Sequence, residues 1–256
     1  MNSLKSVAMP AQHGGWGFLF EPILASLILA PSWAGFFLAF SGLFLFLLHQ
    51  PLKTALKDRL RGRRFARTGL AERVALVYAA GAAAAFVAAH LSAEHAFWLP
   101  LLIAMPLGIV QFWSDLRSEG RTAVAEIAGA LAFAGLASMI VLASGGEIVT
   151  AGLVWLLLAA RAAPAILYVR ARLRLEKGQP ADPRVSTAAH AAALIGVLAL
   201  ALTGVVSPLL IVGAGVLLAR AALGLSARRK PVTAKVIGFR EIAYGALYAV
   251  LVGVAV

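Results

Sequence analysis

The chain contains no cysteine. Disulfides, thiolate metal ligands and cysteine nucleophiles are therefore outside its chemistry. Charge is scarce as well. Only 13% of residues are Asp, Glu, Lys or Arg, roughly half of the ~25% usual in soluble domains. Acids are the scarcer sign, 11 against 23 lysines and arginines, which gives a formal net charge of +12. Nor does the chain carry a glycine-rich phosphate loop, an HExxH zinc motif or a GxSxG elbow. Those absences turn the reading away from P-loop nucleotide hydrolysis, zinc proteolysis and α/β-hydrolase chemistry. No internal repeat and no separate soluble segment stands out across residues 1–256, which read as a single transmembrane domain.

What is present is overwhelmingly apolar: 61% of the 256 residues are hydrophobic. A hydrocarbon core of about 30 Å is crossed by roughly 20 helical residues. Apolar runs of that order fall at 11–30, 33–50, 73–90, 96–113, 122–142, 149–169, 186–203, 207–224 and 236–256. The expectation is an all-α, polytopic transmembrane helical bundle of nine spans. The opening MNSLKSVAMP has too weak an apolar stretch for a signal peptide, so the first run is read as a retained span.

The links between runs sort into two kinds. Residues 51–73, 170–184 and 225–235 carry most of the lysines and arginines, and the link around Asp115, Arg117, Glu119 and Arg121 is mixed. The alternate links, such as HLSAEH and ASGGE, hold no lysine or arginine at all. That alternation predicts a cytoplasmic amino terminus and basic cytoplasmic loops in a bacterial inner (plasma) membrane. It also accounts for the positive net charge, which marks contact with anionic membrane lipids and not a nucleic-acid partner.

Ionisable residues inside spans are costly and usually face the bundle interior. In AQHGGWGFLFEP, His13, Gly17 and Glu21 are each four apart and share one helical face. Glu21 would lie about 12 Å deeper than His13. Gly17 leaves bare backbone between them, and Pro22 leaves a carbonyl free at the same level. Such a face could meet a ligand. It could equally be a close-packed helix contact with Glu21 neutralised by an arginine.

Asp115 and Glu126 flank the fourth and fifth spans, and could hold a divalent cation such as Mg2+ or simply neutralise Arg121. Arg161 is the deepest charge, near the middle of the sixth run and close to Pro164, so it needs either a protein carboxylate or an anionic ligand. In the last run Glu241, Gly245 and Tyr248 share a face, while Arg240 projects about 100° away. Lys235 precedes Phe239 by four residues. His190 has no local pattern around it.

The element Pro10-Ala11-Gln12-His13-Gly14-Gly15-Trp16 resembles the opening motif of the YwiC-like family of bacterial membrane proteins, with Gly15 where a small residue such as alanine is usual. The resemblance continues through Arg121 and Glu126 to the last span with Glu241. It brings no established chemistry with it. More distantly the chain is similar to UbiA-type intramembrane prenyltransferases. These have nine helices and a cytoplasm-facing pocket, where aspartate-rich motifs at the ends of helices 2 and 6 hold magnesium pyrophosphate. At the matching places this chain reads HQPLKTALKDRLRGRR, with Asp58 alone, and RAAPAILYVRARLR, with no carboxylate. The pocket shape is carried over by that resemblance, and the metal-dependent reaction is not.

Three functions stay open. In the first, the protein is an intramembrane enzyme or binder for an amphiphilic anion such as an isoprenoid or other lipid phosphate. Arg121, Arg161, Lys235 and Arg240, with Gly17 and Asp115, would then hold the substrate, and Glu126, Glu241, Glu21 and His13 would act as bases or ligands. The alternatives are a small-anion transporter and a noncatalytic membrane scaffold.

Overall fold

A computed structural model describes residues 3–10 and 14–256. His13 lies outside the described residues. The described chain is helical throughout, with these elements: α1 (Ser3–Ala8), α2 (Gly15–Leu29), α3 (Trp33–Leu60), α4 (Ala66–Ser92), α5 (Trp98–Leu116), α6 (Ala123–Ala143), α7 (Ile148–Glu176), α8 (Arg184–Leu202), α9 (Leu209–Leu225) and α10 (Ala234–Ala255). Seven of them, α3 to α8 and α10, are long and apolar enough to cross a bilayer, while α2 and α9 are apolar but shorter. The nine apolar runs thus correspond to α2 to α10, in an all-α membrane bundle.

The basic links at 51–73 and 170–184 are in large part helical. α3 runs on past the apolar segment to Leu60, α4 begins at Ala66 and α7 continues to Glu176. Most of residues 51–73 is therefore helix extending out of the spans. After Pro51, which α3 accommodates, the residues are mostly good helix formers (Leu, Lys, Ala, Arg), and the helix runs on until just before Gly62. Gly62 takes a positive φ of 65°, which ends the segment. Asp58 closes the α3–α4 hairpin. It is almost fully buried and accepts two hydrogen bonds from Arg67 and one from Thr68. α1 packs against this hairpin, with Val7 buried alongside Ala55 and Ala71.

α6 is the central helix. Its sequence, AVAEIAGALAFAGLASMIVLA, is small or apolar on every face, as befits a helix surrounded by others. It packs against α2, α3, α5 and α7, and every residue from Ala134 to Ala143 is buried. Small residues there let neighbouring backbones approach closely. Trp155 of α7 donates to the Leu131 carbonyl and Ser138 to that of Ala151, which ties α6 to α7. At this end the α2–α3 and α6–α7 links are joined by Ser144, which lies 2.6 Å from Ser32 and donates to the Ala30 carbonyl. The hydrophobic core is thus densest at the end of the bundle that lacks lysine and arginine.

The other helices arrange around this axis. α2 lies between α6 and α10, and α9 bridges α8 and α10. α5 packs broadly on α6 but only lightly on α3. That light contact leaves a space between α3, α5 and α6, whose lining is completed by residues of α2, α7 and α10.

Candidate functional site

The space is a cavity of about 1110 Å³. One wall follows α3 from Leu38 to Leu52, a second follows α5 from Leu101 to Trp113, and α6 lines it from Glu126 to Met139. At 1.5 Å per residue these walls run for about 20 Å, two-thirds of a ~30 Å hydrocarbon core. Along most of that length the lining is leucine, phenylalanine, methionine, alanine and glycine. Polar groups gather at one end. Glu21, His49, Arg121, Glu126, Arg161, Arg170 and Glu241 all line it there.

Of the residues singled out from sequence, Gly17, Glu21, Arg121, Glu126, Arg161 and Glu241 come together around this cavity. Their charges do not stand free. Arg161 Nη2 lies 3.1 Å from Glu21 Oε1, with 2% and 7% of the two side chains exposed. The same nitrogen donates to the Glu241 carbonyl oxygen at 2.9 Å, and the guanidinium also lies over the Phe18 ring. Of the two partners the sequence allowed for the deep arginine, the structure provides the carboxylate. Gly245 makes the approach possible, because a Cβ there would collide with Glu21 Oε1 and Arg161 Nη2. The α10 face bearing Glu241, Gly245 and Tyr248 turns inward, and Arg240 is exposed.

Glu241 has a second partner that sequence reading passed over. Arg220 of α9 reaches it at 3.2 Å and lies over the rings of Tyr168 and Tyr244. The signal was available, since an arginine inside LLIVGAGVLLARAALGL is an intramembrane charge like Arg161. The two arginines and two glutamates sum to zero, so the deep end of the polar group is electrically balanced.

Nearer the mouth the pairs are separate. Glu126 meets Arg170 at 3.0 Å, with 34% of its side chain exposed. The same arginine donates to the Arg121 carbonyl oxygen. Asp115 lies 2.9 Å from His49 and 3.7 Å from Lys53. Asp115 and Glu126 therefore have different partners and neither neutralises Arg121, whose side chain has no partner among the described residues. Asp115 faces a smaller neighbouring pocket of about 290 Å³. Lys235 and Arg240 line neither cavity. Both are exposed, and Lys235 lies 5.9 Å from the Phe239 ring. His190 is buried, its Nδ1 2.8 Å from the Ser186 carbonyl oxygen.

Among the described residues no group of three His, Asp or Glu is placed to hold a metal ion. Of the four carboxylates lining the larger cavity, Glu21, Glu126 and Glu241 each face an arginine, and Asp182 accepts from the Arg184 backbone N–H. With the three clustered glutamates committed to arginines, the donor set does not fit Mg2+, which needs carboxylate oxygens free to coordinate.

The sequence profile described as YwiC-like protein matches residues 9–143, from the opening motif through the end of α6. The chain belongs to the YwiC-like family. The match covers α2 to α6, which carry Gly17, Glu21, Asp115, Arg121 and Glu126. The half of this YwiC-like protein that supplies Arg161, Arg220 and Glu241 lies beyond it. No curated protein and no solved structure matches the chain. The UbiA-type likeness gains no support from these comparisons. Asp58, the one acid at the first aspartate-rich position, is spent on Arg67 and Thr68 and lines neither cavity.

Proposed function

We propose that this YwiC-like membrane protein binds, and acts on, an amphiphilic anion whose apolar tail lies in the slot between α3, α5 and α6 and whose head sits at the charged end. The observation that carries this reading is the shape and lining of the larger cavity: about 20 Å of apolar wall ending in a cluster of ionisable side chains. An aqueous small-anion path would need polar groups along its full length. Here the apolar walls carry few polar groups, and beyond Met139 the core continues with buried Ile140, Val141 and Leu142. A scaffold would have no use for a cavity of about 1110 Å³.

The alternation of basic links supports a charged end facing the cytoplasm and a cytoplasmic amino terminus, in the bacterial inner membrane. In this arrangement Glu126 is the carboxylate suited to proton exchange, because it is part-exposed at the mouth. Glu21 and Glu241 hold Arg161 and Arg220 in place and shape the floor of the head region. Lys235 and Arg240 fit contact with anionic lipid heads outside the cavity.

The test uses Gly108, which lines the slot and whose added Cβ would meet only Ala132, at 4.0 Å. Gly108→Phe fills the slot without a clash at Cβ. Mass spectrometry of lipids co-purified with the wild-type chain is expected to show an enriched single- or double-chain anionic lipid, lost in Gly108→Phe. An identical lipid profile for the two proteins, both folded, would sink the reading.

A further inference from the structure

The smaller pocket, about 290 Å³, lies beside the mouth of the larger cavity, and Gln50 and Arg121 line both. It is made from α3 and the α5–α6 link. His49, Lys53 and Lys57 are each four residues apart, so they share one face of α3. That face looks toward Asp115 and the link. Lys57 Nζ donates to Ser118 Oγ at 3.0 Å. Lys53, with 18% of its side chain exposed, shares Asp115 Oδ2 with His49, at 3.7 and 2.9 Å. The Arg121 side chain adds a third cation, with no partner among the described residues. Ser118 adopts φ 65°, unusual for a residue with a side chain. At Gly120 a Cβ would run into the Asp115 carboxylate. The link is thus shaped tightly around Asp115, leaving the lysines and Arg121 to face the space.

We infer that this side pocket is the seat of a phosphate group, held by Lys53, Lys57 and Arg121. The inference deepens the amphiphile reading, on which it rests for the origin of the phosphate. Deeper in, the arginines are already matched one for one by glutamates, so the anion has no unneutralised cation to meet there. In the side pocket three cations face one carboxylate, and two positive charges remain. A phosphate monoester carries about −1.5 to −2 charges near neutral pH and three acceptor oxygens. Lysines act on it as point charges and Arg121 as a fork. At about 290 Å³ the pocket suits a head group alone, at the lower limit of the ~300–1,000 Å³ typical of whole-ligand sites. Because Arg121 and Gln50 border both spaces, a phosphate there lies where a tail could continue into the slot.

The experiment measures binding of inorganic phosphate, a single-chain alkyl phosphate and the matching alkyl alcohol to the full-length chain in zwitterionic nanodiscs. The proteins compared are wild type, Lys53→Gln/Lys57→Gln, Lys53→Arg/Lys57→Arg, Gly108→Phe and a charge-matched control, Arg63→Gln/Arg228→Gln. Both control residues are exposed and line neither cavity. The double glutamine variant is expected to weaken alkyl phosphate binding by about tenfold or more. The arginine pair should restore most of it, and the control should stay within about twofold. Gly108→Phe should weaken the alkyl phosphate and leave inorganic phosphate unchanged.

If only inorganic phosphate binds, and the glutamine pair abolishes it, the pocket assignment stands with free phosphate as its source and the amphiphile reading fails. If the alkyl phosphate binds and responds to Gly108→Phe but not to the glutamine pair, the amphiphile reading survives and this assignment is overturned. Binding that falls equally in the control and the glutamine pair would also overturn it, as would no binding of either phosphate by folded wild type. Monodispersity and apo thermal stability of each variant establish that it is folded.

Discussion

Two groups of cations sit at the same end of the bundle and are compensated differently. Arg161 and Arg220 are deep, almost fully buried and matched by Glu21 and Glu241 across α2, α7, α9 and α10. Lys53, Lys57 and Arg121 are shallower and face one shared acid or none. Depth accounts for the difference. A charge far from water must be neutralised by the protein itself, or the fold bears its desolvation. A charge near the interface can remain uncompensated, since water and counterions screen it. The deep group therefore belongs to the architecture, and the shallow group is the one proposed for phosphate recognition.

That division can be broken experimentally. The largest effect expected is for Arg161→Ala, which leaves Glu21 buried without a counter-charge. It should lower unfolding stability by about 3–5 kcal/mol, read by denaturant titration in mixed micelles. Replacing Arg161 and Glu21 together by leucine should recover much of that loss. Asp58→Ala comes next, because it strips the α3–α4 hairpin of its hydrogen bonds to Arg67 and Thr68. A loss of about 1.5–3 kcal/mol is expected by the same measurement. Gly245→Ala pushes a methyl group into the Glu21–Arg161 contact and should cost about 1–3 kcal/mol. Smallest of all, Lys57→Gln should leave stability within about 0.5 kcal/mol. Should Lys57→Gln destabilise as much as Arg161→Ala, the distinction between architectural and recognition charges would collapse.

The apolar runs made the bundle legible, since each became an apolar helix, seven of them of membrane length. Their ends were less so. Helices such as α3 and α7 continue well into the basic segments, because a helix does not need apolar residues to continue, only residues without a reason to stop. The pairing of Arg161 with a carboxylate was foreseeable from the expense of a lone buried charge. Which carboxylate it would be was not, since Glu21 and Arg161 are 140 positions apart and meet only through the packing of α2, α7 and α10. Arg220 was overlooked although its own sequence context marked it. Lys235 and Arg240 looked like companions of Glu241, yet the ~100° step between neighbouring helical residues turns Glu241 toward α9 and Arg240 outward. The shallow lysines were legible only as topology signals, and their convergence with Arg121 required the α5–α6 link to fold back toward α3.

The brevity of α9 has a consequence for the membrane around the protein. Its 17 residues, Leu209–Leu225, extend about 25 Å at 1.5 Å per residue, short of a ~30 Å hydrocarbon layer. Val212, Val216 and Leu223 on its outer face are exposed and meet the acyl chains. Lipid beside that flank must thin by several ångströms or the helix ends must draw polar groups inward, each at a modest energetic penalty per ångström of mismatch. The chain thus carries a thickness preference on one side, and shorter-chain lipids should collect along α9.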